Sequence, residues 1–385
     1  MTVELTLVGA SRQRSRTVAL CFLFVLLGVI YASWSSRIPA VRDALRLDAA
    51  TLGTVLLGGG IGAVVAFPFA SWLVGHYGAR NASLFSGLWL VGCLPLLAWM
   101  PNSLALMLGM LALGMGVSCF DVAINALGAE VERASERSMM SLLHAWFCVG
   151  SFGGALLGSG AAAIGLAPWL HFLLASTLLL PALLWACSAL PCDRPEPQPG
   201  RKHFALPHGA LVWLGAIAFL GAITEGSLGS WTTLYLRDHL HASEALAPLG
   251  YAFFSGAMLV ARLLGDRLKD RFGARAVVAW GSLLAGGGLG LAVMATSVPV
   301  AIVGFVATGL GVAGVFPFVF SAAGREGSSA LAAVATMGYS GSLIGPPVIG
   351  YIVHGFGLPA GIAFLALASV VAGVAAWQAS LLRQA

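Results

Sequence analysis

The chain has 385 residues, of which 59% are hydrophobic and only 9% are charged, whereas an average soluble domain has about 25% charged residues. This composition excludes a soluble globular protein and indicates a chain that lies almost entirely in a lipid bilayer. The net charge of +5 is not gathered on a soluble domain, so we expect no nucleic acid among the partners.

Hydropathy, turn residues and charges predict twelve membrane-spanning helices. The predicted spans are 17–36, 52–74, 81–99, 103–128, 139–164, 167–190, 210–235, 245–265, 276–296, 299–323, 329–353 and 358–381. The fold class is therefore an all-α membrane protein with two pseudo-symmetric six-helix bundles. We expect an N-terminal bundle at 1–190, a proline-rich cytoplasmic linker at 191–209 and a C-terminal bundle at 210–385.

The distribution of positive charge predicts the orientation. If both termini are cytoplasmic, only Arg37, Arg42, Arg46 and Arg237 of the twenty Lys and Arg residues lie outside. Cytoplasmic loops of membrane proteins carry an excess of Lys and Arg. We therefore expect a multi-pass protein with both termini in the cytoplasm.

The two halves of the sequence repeat. Ser33-Trp34-Ser35-Ser36 returns 197 residues later as Ser230-Trp231-Thr232-Thr233, and Gly78-Ala79-Arg80 returns at a similar spacing as Gly273-Ala274-Arg275. Parallel halves related by an axis along the membrane normal are a transporter architecture, with the binding site between them near the midplane. We expect Trp34 and Trp231 to occupy equivalent places.

The segment Asp266–Arg275 resembles the D-R-x-G-x-R loop of the major facilitator superfamily, in which spans 1, 4, 7 and 10 line a central cavity. The segments Asp121–Asn125, Glu130–Arg133, Met140–His144, Glu225-Gly226 and Trp231–Arg237 resemble its YbjJ-like branch, near the fucose-permease type of sugar symporters. The resemblance implies a secondary transporter of a bacterial inner membrane that works by alternating access. It places Asp121 and Glu225 on the cavity wall.

Three polar residues on spans 4 and 5 are predicted to lie at one depth. Asp121 and Asn125 are four residues apart on one helix face, and Asn125 lies about 8 Å above the inner boundary at Glu130. His144 lies about 9 Å above the start of span 5. Asp121 and His144 are candidates for sharing a proton, and Asn125 is a candidate substrate contact. A static hydrogen-bonded brace between the two spans is the alternative.

Glu225 on span 7 is the strongest candidate for proton coupling. A carboxylate within a span is costly, and Gly221, Gly226 and Gly229 weaken the helix around it. Interrupted helices near the midplane are where transporters place binding groups. The alternative is a carboxylate that caps the loosened backbone without titrating.

Four aromatic residues, Tyr31, Trp34, Trp231 and Tyr235, are predicted at the outer ends of spans 1 and 7. They are either a stacking wall for a sugar-like substrate or an aromatic belt at the membrane interface. At the inner side, Arg262 and Asp266 are four residues apart and are expected to form a gate pair. The loop resemblance adds further gating candidates, which are Glu130, Asp270, Arg271 and Arg275.

The sequence is compatible with two functions. The first is a proton-coupled carrier of a small polar solute, sugar-like or polyol-like, and the second is a proton-driven exporter of a drug or metabolite. An enzyme would need clustered ligands or a nucleophile pair near one surface, so we do not expect one. The sequence has no G-x-x-x-x-G-K-[ST] loop, so ATP is not the expected energy source. We expect no cofactor or metal, and a monomer whose partners are substrate, protons and lipid.

Overall fold

The computed structural model describes residues 2–135, 139–191 and 207–383, and within these ranges the chain is helical without any strand. The helices are α1 (Thr2–Ala44), α2 (Ala49–Tyr77), α3 (Ala79–Leu97), α4 (Ser103–Ser135), α5 (Met140–Ala163), α6 (Pro168–Ala189), α7 (Leu211–Leu234), α8 (Leu249–Phe272), α9 (Ala274–Met294), α10 (Val298–Val312), α11 (Val315–Arg325), α12 (Ser328–Phe356) and α13 (Leu358–Gln378). A π-helical turn (Tyr235–His239) follows α7, and a 3-10 helix (Ser380–Arg383) follows α13.

These helices correspond to the twelve predicted spans, and α10 and α11 together form the tenth, Val298–Arg325. Nine segments of the described chain are long and apolar enough to cross a membrane by length and composition alone. The other three are α3, α8 and α12. They carry residues of low hydropathy. These are Arg80 and Asn81 in α3, Arg262 in α8, and several glycines, serines and prolines in α12.

Several helices extend beyond the spans that hydropathy predicts. Helix α1 continues to Ala44 instead of ending near 36, and α8 continues to Phe272 instead of 265. The apolar pattern ends where charged residues begin, whereas backbone hydrogen bonding continues through those residues. Tyr31 and Trp34 therefore lie well inside the bundle, and the prediction that they mark the outer end of the first helix is wrong.

The two halves have the same internal packing. In the first half α1 packs against α5 and α6, α2 against α4, and α3 against α4 and α6. The corresponding helices of the second half make the same pairs: α7 with α12 and α13, α8 with α10, and α9 with α10 and α13. The two halves meet through α2 with α12, α5 with α8, and α1 with α7. This confirms a fold of twelve membrane helices in two pseudo-symmetric bundles.

The repeated Gly-Ala-Arg segments form equivalent turns. Gly78 and Gly273 have φ values of 81° and 79° between successive helices, a conformation that favours glycine. Two residues later, Arg80 Nε donates to the Cys187 carbonyl at the end of α6. In the second half, Arg275 donates to the Trp377 carbonyl at the end of α13. Arg275, expected among the gating residues, therefore ties together helices of its own half.

Glycines allow the closest helix contacts inside each half. A Cβ atom at Gly150 of α5 would lie 2.2 Å from the carbonyl oxygen of Val25 of α1. A Cβ atom at Gly341 of α12 would lie 2.2 Å from the carbonyl oxygen of Phe219 of α7. Small residues are typical where membrane helices touch backbone to backbone. Glycine contacts of this kind therefore hold α1 to α5 and α7 to α12 within the two halves, and Gly53 of α2 and Gly350 of α12 make a similar close contact between the halves.

The predicted linker at 191–209 lies mostly outside the described residues, so the division into 1–190 and 210–385 stays a prediction.

Gly150→Ala should destabilise the protein by about 1–3 kcal/mol, because the added methyl group would clash with backbone atoms that side-chain movement cannot clear. Gly153→Ala on the same helix is the matched control, since nothing lies within 4 Å of a Cβ atom there. We expect its stability to change by no more than about 1 kcal/mol. Thermal unfolding of the purified proteins, followed by tryptophan fluorescence, measures both. Equal melting temperatures for the two variants would contradict the assigned α1–α5 contact.

Candidate functional site

The two ends of the bundle carry different connections. The end that holds the turns at Gly78 and Gly273, and at which α1 begins, is called the terminal face. The opposite end, which holds the connection after Ala44 and the segment between His239 and Leu249, is called the far face.

A cavity of about 620 Å³ lies between the halves. The charged and imidazole side chains on its wall are Asp121, His144, Glu225, Arg262, Asp266 and Lys269. Met140, where α5 begins, and Lys269, near the end of α8, lie at its mouth, so the cavity opens toward the terminal face. Both predicted carboxylates, Asp121 and Glu225, are therefore on the wall of one cavity.

Glu225 forms an ion pair with Arg262. The Arg262 Nη2 atom lies 3.4 Å from Glu225 Oε1, and the two side chains are 9% and 23% exposed for Arg262 and Glu225 respectively. Among the described residues, the other carboxylate oxygen, Oε2, has no hydrogen-bond partner. The expected gate pair of Arg262 with Asp266 does not form in the described structure, because α8 directs the guanidinium toward α7 and α5.

Arg262 also connects the two halves. Its Nη1 atom donates to the carbonyl oxygen of His144 at 3.3 Å and to the Sγ atom of Cys148 at 3.1 Å, both on α5. Glu225 and Arg262 belong to the second half, and α5 belongs to the first. The charge state of Glu225 is therefore linked to a contact between the halves.

Asp121 and Asn125 pair within α4. Asn125 Nδ2 donates to Asp121 Oδ1 at 3.0 Å and to the Asp121 carbonyl oxygen at 2.8 Å. His144 faces the same cavity as Asp121, and its ring meets that of Phe24 edge-on at 5.4 Å. No hydrogen bond joins His144 to Asp121 or Asn125 in the described residues, since Asn125 directs its amide back along its own helix. Asn125 supports Asp121 and does not line the cavity.

Three of the four aromatic candidates are buried in their own halves. Trp34 is 5% exposed and packs against Phe172. Trp231 is 1% exposed and donates through Nε1 to the Pro346 carbonyl at 3.1 Å. Tyr235 donates to a carbonyl of α9. Neither the stacking wall nor the interfacial belt describes these three residues, because their side chains are buried against other helices of their own half.

Tyr31 differs from the other three aromatic residues. It lines a second cavity of about 280 Å³ that shares Asp121 with the larger one. Its hydroxyl group lies 3.4 Å from the carbonyl oxygen of Gly226, next to Glu225. Of the predicted aromatic contacts, Tyr31 alone stays a candidate.

The remaining gating candidates lie at the terminal face. Asp266 is exposed at the cavity mouth. Asp270 and Arg271 are also exposed, and the Arg271 guanidinium lies over the ring of Phe272 at 5.3 Å. Glu130 lies near the end of α4 and is partly buried. A gating role for these residues stays a prediction.

Five charged residues form a network at the far face. The sequence analysis does not predict these ion pairs. Arg42 pairs with Asp43 and with Asp238, and Arg237 pairs with Asp43 at 2.8 Å, Asp238 at 2.8 Å and Glu244 at 3.1 Å. The Arg42–Asp238 and Arg237–Asp43 pairs join the end of α1 to the end of α7. Arg42, Arg237 and Asp238 are partly buried, whereas Asp43 and Glu244 are exposed. The network therefore joins the two halves at the far face.

Other contacts between the halves close the far face beside this network. Ser159 Oγ of α5 donates to the Ala245 carbonyl before α8. On the opposite side, the hydroxyl groups of Thr54 and Tyr351 lie 3.1 Å apart between α2 and α12. The cavity is therefore closed at the far face and open at the terminal face.

The signal that could have identified this network is the repeat itself. Arg42 and Asp43 follow the first repeat segment on α1, as Arg237 and Asp238 follow the second after α7. Equivalent helices place both charge clusters at one level, and their opposite charges then favour contact.

Two equivalent helical bundles around a cavity that carries charged side chains define a transporter fold. The chain belongs to the Major Facilitator Superfamily, whose family profile matches residues 18–215 and 214–383. An uncharacterized MFS-type transporter of Yersinia pestis is 34% identical over 348 residues, covering 89% of each chain. The membrane protein MosC of Rhizobium meliloti is 29% identical over 369 residues, covering 93% of this chain and 88% of its own.

Solved structures support the same fold. A crystal structure of the nucleoside transporter NupG, as its D323A mutant, matches with a TM-score of 0.76 at 14% identity, covering 95% of this chain and all (100%) of that chain. A bacterial homologue of the human lysosomal transporter Spinster, in an inward-facing and occupied conformation, matches with a TM-score of 0.74 at 14% identity, covering 95% and 96% of the two chains. The chain is therefore a membrane transporter of this superfamily.

A disulfide between Ser159→Cys and Ala245→Cys should form readily in a cysteine-free background and should stop transport, because it holds the far face closed. Gel mobility after mild oxidation measures the cross-link, and uptake into proteoliposomes measures transport. Reduction should restore uptake, and each single variant is the control. Full transport by the cross-linked protein would contradict closure and opening at this position.

A double-mutant cycle should show coupling between Glu225 and Arg262. Glu225→Gln and Arg262→Met each leave one buried charge without its counter-charge, so each should lower the melting temperature. The double variant should lose less stability than the sum of the two single variants, with a coupling energy of about 0.5–3 kcal/mol. Thermal unfolding of the four proteins measures the cycle. Additive losses would mean that the ion pair does not contribute to folding.

Proposed function

We propose that this protein is a proton-coupled secondary transporter that moves a small polar solute across a bacterial inner membrane by alternating access. Glu225 is the coupling residue. The observation that carries the proposal is the Glu225–Arg262 ion pair on the wall of the cavity between the halves. Asp121 and His144 on the same wall are the remaining candidates for carrying the proton.

The coupling step follows from the contacts of Arg262. Ionised Glu225 attracts the guanidinium, which also donates to α5 of the other half. When Glu225 takes up a proton, this attraction is lost and Arg262 can change partners. Proton uptake therefore changes the contact between α8 and α5, where the halves must move.

The orientation follows from charge. The terminal face carries most of the Lys and Arg residues, so the positive-inside rule makes it cytoplasmic. The described conformation is then closed to the outside by the Arg42–Asp238 and Arg237–Asp43 pairs and open to the inside. In this proposal both termini are cytoplasmic, and the protein works as a monomer because one chain supplies the cavity.

The resemblance to the YbjJ-like branch, near the fucose-permease type of sugar symporters, favours a sugar-like or polyol-like solute. The bacterial relatives are consistent with an inner-membrane location. A transporter with these parts needs no chemical reaction on its substrate, so we propose no enzymatic activity.

Export of a drug or metabolite is the second candidate, and one observation favours it. The cavity wall includes five phenylalanines and one tyrosine, which suit an amphipathic compound better than a free sugar. These residues are Phe24, Phe147, Phe316, Phe318, Phe320 and Tyr339. The sign of the pH gradient that drives accumulation separates the two candidates, since an importer and an exporter require opposite gradients.

Glu225→Gln should abolish proton-driven accumulation while substrate exchange without a gradient continues. Glutamine keeps the shape and the hydrogen bond from Arg262 but cannot carry the proton. The measurement is a solute screen in proteoliposomes with an internal pH indicator, followed by uptake and counterflow assays of the active solutes.

Glu326→Gln is the matched control, because Glu326 is an exposed acid between α11 and α12. It removes the same charge and should transport like the parent protein. Unchanged uphill accumulation by the Glu225→Gln variant would remove Glu225 from the coupling step and leave Asp121 as the next candidate.

A further inference from the structure

We propose that Asp121 binds a protonated amino group of the transported solute, so that the substrates are amines. The inference rests on the proposed transport function and adds the chemistry of the substrate.

Glu225 has a counter-charge and Asp121 has none. Arg262 neutralises Glu225, whereas the described residues place no Lys, Arg or His within ion-pair distance of Asp121. Its one side-chain partner is the neutral amide of Asn125. A carboxylate at this depth is costly unless a proton or a cation matches its charge. We therefore assign this cation to the bound solute, and a proton can take its place when the site is empty.

Asp121 lies where the two cavities meet. It lines both the cavity of about 620 Å³ and the one of about 280 Å³. Asn125 occupies Oδ1 and holds the side chain in place, which leaves Oδ2 as the acceptor for a ligand. A solute in the larger cavity can thus reach the carboxylate with one end while its remainder contacts the mainly apolar wall of that cavity.

The walls around Asp121 suit an ammonium group. Tyr31, Phe67, Phe147 and Tyr339 line the smaller cavity with it. The rings of Phe67 and Tyr339, from opposite halves, lie 4.9 Å apart. Aromatic faces attract organic cations. One carboxylate among aromatic rings does not provide the six or more oxygen ligands of Ca²⁺. The expected ligand is therefore an organic amine.

The test compares pairs of probes that differ in one group. Tyramine and tyrosol have the same ring and chain, with an amino or a hydroxyl group at the end, and glucosamine and glucose form a second pair. Calorimetry on the full-length protein in detergent should show, for at least one pair, that the amine binds about tenfold more tightly or better. Asp121→Asn should remove this preference and leave the affinity of the neutral partner unchanged.

Two further variants keep the result interpretable. Asp121→Glu retains the charge and should retain a preference for the amine, and Glu326→Gln should behave as the parent protein. Equal affinities within both pairs, no binding of either amine, or a preference that survives Asp121→Asn would overturn the proposal.

This outcome is separable from that of the transport proposal. Amine preference is measured at equilibrium without a gradient, whereas coupling is measured as uphill accumulation with Glu225→Gln. Amine binding without proton-driven transport would leave the Asp121 site standing and reject the coupling. Coupled transport without amine preference would do the reverse.

Discussion

The guanidinium of Arg262 lies between the two halves of a membrane protein, where an unpaired charge is costly. Its two terminal nitrogens have partners in both halves: Nη2 contacts Glu225 in its own half, and Nη1 donates to His144 and Cys148 on α5 of the other half. The cavity wall, the contact between α5 and α8, and the position of the buried, unbonded Oε2 atom of Glu225 all depend on this arrangement. Any event that neutralises Glu225 changes the balance of these contacts.

The packing divides the molecule into stable and changeable parts. Within each half, glycines bring α5 onto α1 and α12 onto α7 with backbone contacts that leave no room for a methyl group. Between the halves at the far face, partly buried ion pairs, single hydrogen bonds and the close contact of Gly53 with Gly350 make the closure. Most of the closest glycine contacts lie within the halves, which is the arrangement expected of two bodies that move relative to each other.

The sequence identifies single residues whose placement in a membrane helix costs free energy. Glu225, Asp121 and Arg262 are charged residues in apolar helices, and all three line the cavity. Their partners were not predicted correctly. Helical spacing favoured Arg262 with Asp266, whereas the guanidinium turns toward α7 and α5. The position of Trp34 is predicted wrongly for a related reason. Hydropathy ends the first helix too early, so the prediction places the buried Trp34 at a membrane surface.

The sequence by itself determined the membrane class, the twelve spans and the repeat of the two halves, because apolar length, charge and spacing are local properties of the chain. It also identified the costly carboxylates. Only the tertiary structure decided that Glu225 has a counter-charge and Asp121 has none, that Trp34, Trp231 and Tyr235 are core residues, and that the far face is closed. These features depend on which helices become neighbours and how they are rotated, and that is set by packing between segments far apart in the chain.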